Sequence, residues 1–158
     1  MPRAILWEMI GMFVNRILAE GRKRLNTIGI DSLLTDAARA LSGPQSGLVV
    51  VCDPSGKAVG VITKADVVRR ITHCGGAACR ITAAAAMTQQ VVFCRLDDPL
   101  SAVWSKMKQH SLRQIPIVDD QERPVGILNA RDVLQALLRD ATNEAELLRD
   151  YVMCVGYH

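Results

Sequence analysis

The chain has 158 residues, 19 basic and 16 acidic, for a net charge of +3. That length allows one ordinary domain or two very small ones sharing a core, and with 49% hydrophobic residues there is enough apolar surface to build it. The two signs of charge are mixed along the chain, without the basic arm or stripe of a nucleic-acid binder, so DNA and RNA are excluded as expected partners.

In chain order, the first feature is AILWEMIGMFVNRIL. It is too short and too interrupted by Glu8, Asn15 and Arg16 to span a bilayer, and no small-residue cleavage site follows it, so no membrane association is expected. Ile5, Leu6, Met9, Ile10, Phe13, Val14, Ile17 and Leu18 fall on one wide helical stripe, which packs either on its own domain or on another subunit. The expected division is an apolar N-terminal helix over 1–20, a first repeat over 21–72, a linker over 73–86, a second repeat over 87–140, and a C-terminal helix and tail over 141–158.

The repeats are read from a gapless match of residues 25–71 with 91–137. It pairs Asp31 with Asp97, Leu34 with Leu100, Thr35 with Ser101, Asp53 with Asp119, Val59 with Val125, Gly60 with Gly126, Asp66 with Asp132 and Val67 with Val133. Each copy predicts a short strand (RLNTI, VVFCR), a helix opened by an acidic turn (DSLLTDAARAL, DDPLSAVWSKMKQ), a buried strand (LVVVCD, IPIVDD), a polar turn, a further strand (AVGVI, VGIL) and a final helix. The fold class is therefore α/β, with two β-α-β-β-α units packed about a pseudo-two-fold axis and flanked by terminal helices. The last helix is expected to run on through LLRDATNEAELLRDYV.

The five cysteines, Cys52, Cys74, Cys79, Cys94 and Cys154, are odd in number and contain no CxxC. Cys52 and Cys94 sit in apolar runs, which indicates a reducing, cytoplasmic setting. Cys74 and Cys79 flank a Gly-Gly turn and read as free loop thiols, with no metal site expected. His73, His110 and His158 lie near no nucleophile motif, and there is no HExxH, G-x-S-x-G or phosphate-binding P-loop, so no catalytic residues are assigned.

The duplicated turn is GVITKAD at 60–66 and GILNARD at 126–132. Thr63 with Asp66, and Asn129 with Asp132, have the spacing of a helix cap with an acid in the first turn, and capping alone accounts for much of the pattern. The preceding strand and glycine also set helix N–H donors at an edge where an anion can approach. An aspartate beside them can accept from paired sugar hydroxyls. Sugar plus phosphate points to a nucleotide.

These blocks, VVVCDPSGKAVGVITKAD and IPIVDDQERPVGILNARD, together with AAAMTQQVVFC, resemble a tandem cystathionine-β-synthase (CBS) domain pair, or Bateman module, over about residues 12–140. The nearest likeness is to small bacterial stand-alone CBS-pair proteins. The resemblance implies a regulatory, signal-transducing module that binds an adenosine nucleotide and changes conformation or partner binding. AMP leads the candidate ligands, with ADP, ATP, NAD(H) and S-adenosylmethionine behind it. It also implies a homodimer and a protein target that the sequence does not name.

Carried over by position, the resemblance makes Asp66, Asp132, Thr63 and Asn129 ribose-binding, and Arg113, Lys64 and Arg131 phosphate-binding. Backbone groups near Ile28, Val50, Val92 and Ile117 would read the adenine edge, and Met87 with neighbouring aliphatics would form its apolar slot. Arg113 reads alternatively as a solvated surface arginine, and Met87 as plain core. The clefts are not equivalent: the one on Thr63 and Asp66 would receive Arg113 from the facing repeat, whereas the one on Asn129, Arg131 and Asp132 would face SGLVV, which brings no charge. The first is expected to hold phosphate better. The alternatives are a ligand-free CBS-pair dimerisation scaffold and, as a third class, an enzyme.

Overall fold

The computed structural model describes residues 13–44, 47–74, 80–139, 145 and 149. A 3₁₀ turn, Val14–Ile17, leads into helix α1, Leu18–Lys23. The first copy then runs through β1 Thr27–Gly29, α2 Leu34–Ala40, β2 Leu48–Cys52, β3 Ala58–Thr63 and α3 Lys64–Cys74. A short helix, α4 Ala83–Ala86, precedes the second: β4 Cys94–Arg95, α5 Leu100–Gln109, β5 Gln114–Val118, β6 Pro124–Asn129 and a helix α6 over 130–139.

The copies agree in detail. Each sheet has the order short strand, central strand, third strand, the first pair parallel and the second antiparallel. A register shift falls between Val51 and Cys52 in one and between Ile117 and Val118 in the other, equivalent points 66 residues apart. The polar turns match as well: Asp53 Oδ1 accepts from the N–H groups of Ser55 and Lys57 at 2.9 and 3.0 Å. Asp119 Oδ1 accepts from Gln121 and Arg123, both at 2.9 Å. A side chain that satisfies two turn donors explains the shared aspartate without any ligand.

Leu48, Val49, Val50 and Val51 are all buried, as an unbroken apolar strand must be when both faces are covered. Val49 and Val51 pack with Leu34, Ala37, Ile62 and Val67 under the first copy's helices. Leu48, Val50 and Ala58 pack with Val118 and Ile127 of the second. The sheets thus meet face to face, with helices outside, and an Ala58 N–H donates to the Glu122 carbonyl at 2.9 Å across the junction.

The segments leading into the two copies cross over. Before the first copy, α1 lies on β6 of the second, so closely that a Cβ on Gly126 would stand 3.0 Å from the Gly21 carbonyl carbon. Before the second copy, α4 lies on the first: Ala83 and Ala86 belong to that copy's core, and Val61 and Thr88 exchange backbone hydrogen bonds at 3.1 and 2.9 Å. The expected linker 73–86 therefore contains a helix built into the first core.

Two sequence expectations change at the N-terminus. Phe13 is extended (φ −102°, ψ 159°) and bridges Pro99, so one continuous helix from Ile5 through Leu18 does not form, and residues 14–17 wind as a 3₁₀ turn. The bond from Val14 N–H to the Asp98 carbonyl, 3.0 Å, draws this segment into the second copy and buries Val14 fully. The rest of the apolar stripe, residues 1–12, lies outside the described residues, as do Cys79, Cys154, His158 and most of the expected C-terminal helix.

Candidate nucleotide-binding cleft

A cavity of about 950 Å³ opens at the junction. Leu48, Val61, Val91, Val92 and Pro116 give it an apolar wall, while Thr63, Lys64 and Asp66 stand at the start of α3 and Arg113, Ser111 and His110 face them from the other copy. Arg113 reaches this place because α5 ends sharply. Ser111 has φ 53°, and the Leu112 and Ser111 N–H groups donate to the carbonyls of Met107 and Lys108 at 2.8 and 3.3 Å, a Schellman closure in which the left-handed residue turns the chain back.

Asp66 is 9% exposed. Its Oδ2 accepts from the Thr63 N–H at 3.0 Å and from the Thr63 hydroxyl at 3.1 Å, and Thr63 Oγ1 lies 3.3 Å from the Asp66 N–H. Arg69, itself largely exposed, stands 3.5 Å from Oδ1. This is a capping box, so the bland reading of the motif is physically realised; the same carboxylate also lines the cavity.

The second motif is arranged otherwise. Asn129 Oδ1 accepts from the Arg131 N–H at 3.1 Å. Asp132 instead holds the guanidinium of Arg24, a residue 108 positions away that follows α1. The cleft expected to face only uncharged SGLVV therefore carries an arginine, delivered by the crossed-over leader. Sequence reasoning missed Arg24 because the match was begun at Leu25. One step further upstream pairs Arg24 with Gln90, which lines the large cavity.

Of the ribose, phosphate and adenine candidates, the structure brings Thr63, Lys64, Asp66, Val92, Arg113 and Asn129 to one cavity. Arg131 and Asp132 do not line it. Nor do Ile28, Val50 and Ile117: Ile28 packs on the first core, while Val50 and Ile117 are fully buried strand residues, and the Val50 N–H already donates to the Asn26 carbonyl at 2.9 Å. Met87 lies over Gly60, where a Cβ would stand 2.8 Å from its Cγ. It lines a smaller neighbouring cavity of about 180 Å³ with Asp66, Arg69, Arg70 and His73. Its contact with the first core matches the packing alternative.

Burial pushes the Cys94 thiol up to about 12, Asp98 adding to the effect, and raises Cys52. Both are free thiols, and the upward shift disfavours the thiolate form that reacts. Among the described residues no three His, Cys, Asp or Glu side chains are grouped to hold a metal, and no helix is long and apolar enough to cross a membrane.

Two like units closing on one shared cavity define a paired-repeat α/β module. The chain belongs to the CBS domain family, whose model matches residues 21–73 and 83–139. It is similar to a solved CBS-domain-containing protein of Agrobacterium tumefaciens, with 30% identity, a TM-score of 0.67, and coverage of 78% of this chain and 98% of that one. A solved CBS domain pair in complex with 5′-methylthioadenosine and S-adenosyl-L-methionine is 26% identical, with a TM-score of 0.68 over 81% of this chain and 97% of that one. The L-aspartate semialdehyde sulfurtransferase of Methanocaldococcus jannaschii is 30% identical over 100 residues, 63% of this chain but only 19% of that protein's length.

Proposed function

We propose that the chain is a non-catalytic regulatory module that binds an adenosine nucleotide in the cavity beside Thr63 and Asp66 and responds by changing its packing or its contact with a partner. The observation that carries this reading is that Asp66 of one copy and Arg113 of the other line the same cavity. An acidic acceptor suits the ribose hydroxyls, and a flexible cation opposite it, with Lys64 beside the helix start, suits a phosphate. The adenosine compounds bound by the 26% identical CBS pair support the ligand class. AMP heads the order of ligands to test, before ADP, ATP, NAD(H) and S-adenosylmethionine. The match to a sulfurtransferase covers a fifth of that protein and lends this chain no chemistry.

The reading includes a cytoplasmic location, to which the free Cys52 and Cys94 are suited, and a homodimer. Val68 and Ile71 on α3 are 62% and 51% exposed, and Leu134, the counterpart of Val68 on α6, is 38% exposed; two helices with matching apolar faces fit a symmetric contact. Calorimetric titration of AMP and adenosine into wild type and Arg113→Ala tests the site. Loss of a charge-assisted bond should weaken AMP about 10- to 150-fold and leave adenosine nearly unchanged. Equal AMP affinity in both proteins, or no binding by wild type, would overturn the reading.

A further inference from the structure

We propose that Arg24 is a built-in occupant of the second ribose position, so that each chain takes one nucleotide, at Asp66, and Arg24 sets that stoichiometry; this rests on the nucleotide-binding reading above. The large cavity straddles the pseudo-two-fold axis. Its lining includes both members of four matched pairs: Gly47 and Arg113, Leu48 and Gln114, Thr63 and Asn129, Lys64 and Ala130. Beyond these pairs, among the described residues, it extends on one side to Asp66 and Gln90. Their counterparts on the other side, Asp132 and Arg24, are bonded to each other and do not line it.

The two carboxylates differ in what a sugar would have to displace. Asp66 Oδ2 accepts only from its own helix start, and Arg69 approaches Oδ1 from solvent, with its side chain 66% exposed. The side chains of Arg24 and Asp132 are 15% and 22% exposed. The guanidinium sets a full positive charge against the Asp132 carboxylate, whereas a sugar hydroxyl that took its place would bring none. Removing Asp132 from Arg24 would also leave a partly buried cation without its acid. The arginine is delivered firmly, because it directly follows α1, whose Gly21 backbone lies against Gly126 and Ile127.

Equilibrium dialysis with radiolabelled AMP, and with S-adenosylmethionine in parallel, counts ligands per folded chain. Wild type should bind one. Arg24→Gln, which installs the side chain found at the matching position, should bind two, and Arg24→Lys, which keeps the cation, should bind one. Asp66→Ala should lower occupancy in the Arg24-containing protein to about half or less at ten times the wild-type Kd, in keeping with an about 10- to 150-fold loss of affinity, and this result does not depend on any Arg24 variant folding. Two ligands on wild type, one remaining on Asp66→Ala, or one on a folded Arg24→Gln would each overturn the proposal and leave the adenosine reading standing. Absence of binding to wild type overturns both.

Discussion

Replacing Asp66 by alanine separates the two roles its carboxylate holds. In the folded chain Asp66 accepts the Thr63 N–H and hydroxyl at 3.0 and 3.1 Å. Loss of such a cap interaction costs about 0.5–2 kcal/mol. For a chain of this length each kilocalorie lowers the midpoint by about 2–4 °C. If the same carboxylate also receives the ribose hydroxyls, losing a charged acceptor costs binding a further 1.5–3 kcal/mol, or about 10- to 150-fold in Kd for AMP and adenosine alike. Asp66→Asn keeps an oxygen for the cap but removes the charge, so its melting midpoint should lie near wild type while its affinity still falls. Differential scanning calorimetry gives the first quantity and titration calorimetry the second. An Asp66→Ala protein that melts lower yet binds AMP within twofold of wild type would show that the aspartate is a helix cap and nothing more.

Three other outcomes follow from the packing and the titrating groups. Gly60→Ala should destabilise the protein by about 1–3 kcal/mol, because its Cβ meets Met87 Cγ and Cβ at 2.8 and 3.0 Å, and Gly60→Ala with Met87→Ala should recover part of that loss in urea denaturation. The Asp53 carboxyl is held below its ordinary 3.8 by hydrogen bonds from the Ser55 side chain and the Lys57 backbone. Its contribution is therefore present above the unfolded pKa and lost as pH falls through the folded one, so the melting advantage of wild type over Asp53→Asn should shrink as the solution is acidified from neutral through the carboxylate range; an advantage constant throughout that acidification would refute the assignment. Cys94, buried and raised to about 12, should resist iodoacetamide at pH 8 in the native protein and react once unfolded, as peptide mass spectrometry would show.

The repeat and its order of elements were legible because the gapless match keeps Asp53 with Asp119, Gly60 with Gly126 and Asp66 with Asp132 in step, and because LVVVCD and IPIVDD are β-rich runs at matching places. That Arg113 lines the same cavity as Thr63 and Asp66 follows from the pseudo-dyad, since a strand pair facing its own copy brings one copy's helix end toward the other's motif. What failed was local. The 3.6-residue stripe through Phe13 was outweighed by backbone bonding of Phe13 and Val14 to the second copy, a tertiary contact that periodicity cannot register. The adenine reading was placed on backbone groups near Ile28, Val50 and Ile117, strand residues that do not line the large cavity, and the Val50 N–H is bonded to the Asn26 carbonyl. Met87 read equally well as slot or core until the glycine beneath it was located.

The difference between the two clefts lies less in the duplicated motifs than in what precedes each copy. GVITKAD and GILNARD both put an aspartate at the start of a helix, but the leaders read RKRLN at 22–26 and TQQVV at 88–92. Since each leader crosses to the other copy, the basic one lies against Asp132 and the neutral one lines the approach to Asp66. Altering a leader changes the partner offered to a distant carboxylate without touching the helix that carries it or the sheets that bury the core. A duplicated fold can in this way hold its symmetry where packing requires it and still differ in the partners of its two motif aspartates. Arg24, outside both motifs, is then the residue through which the two halves become unequal.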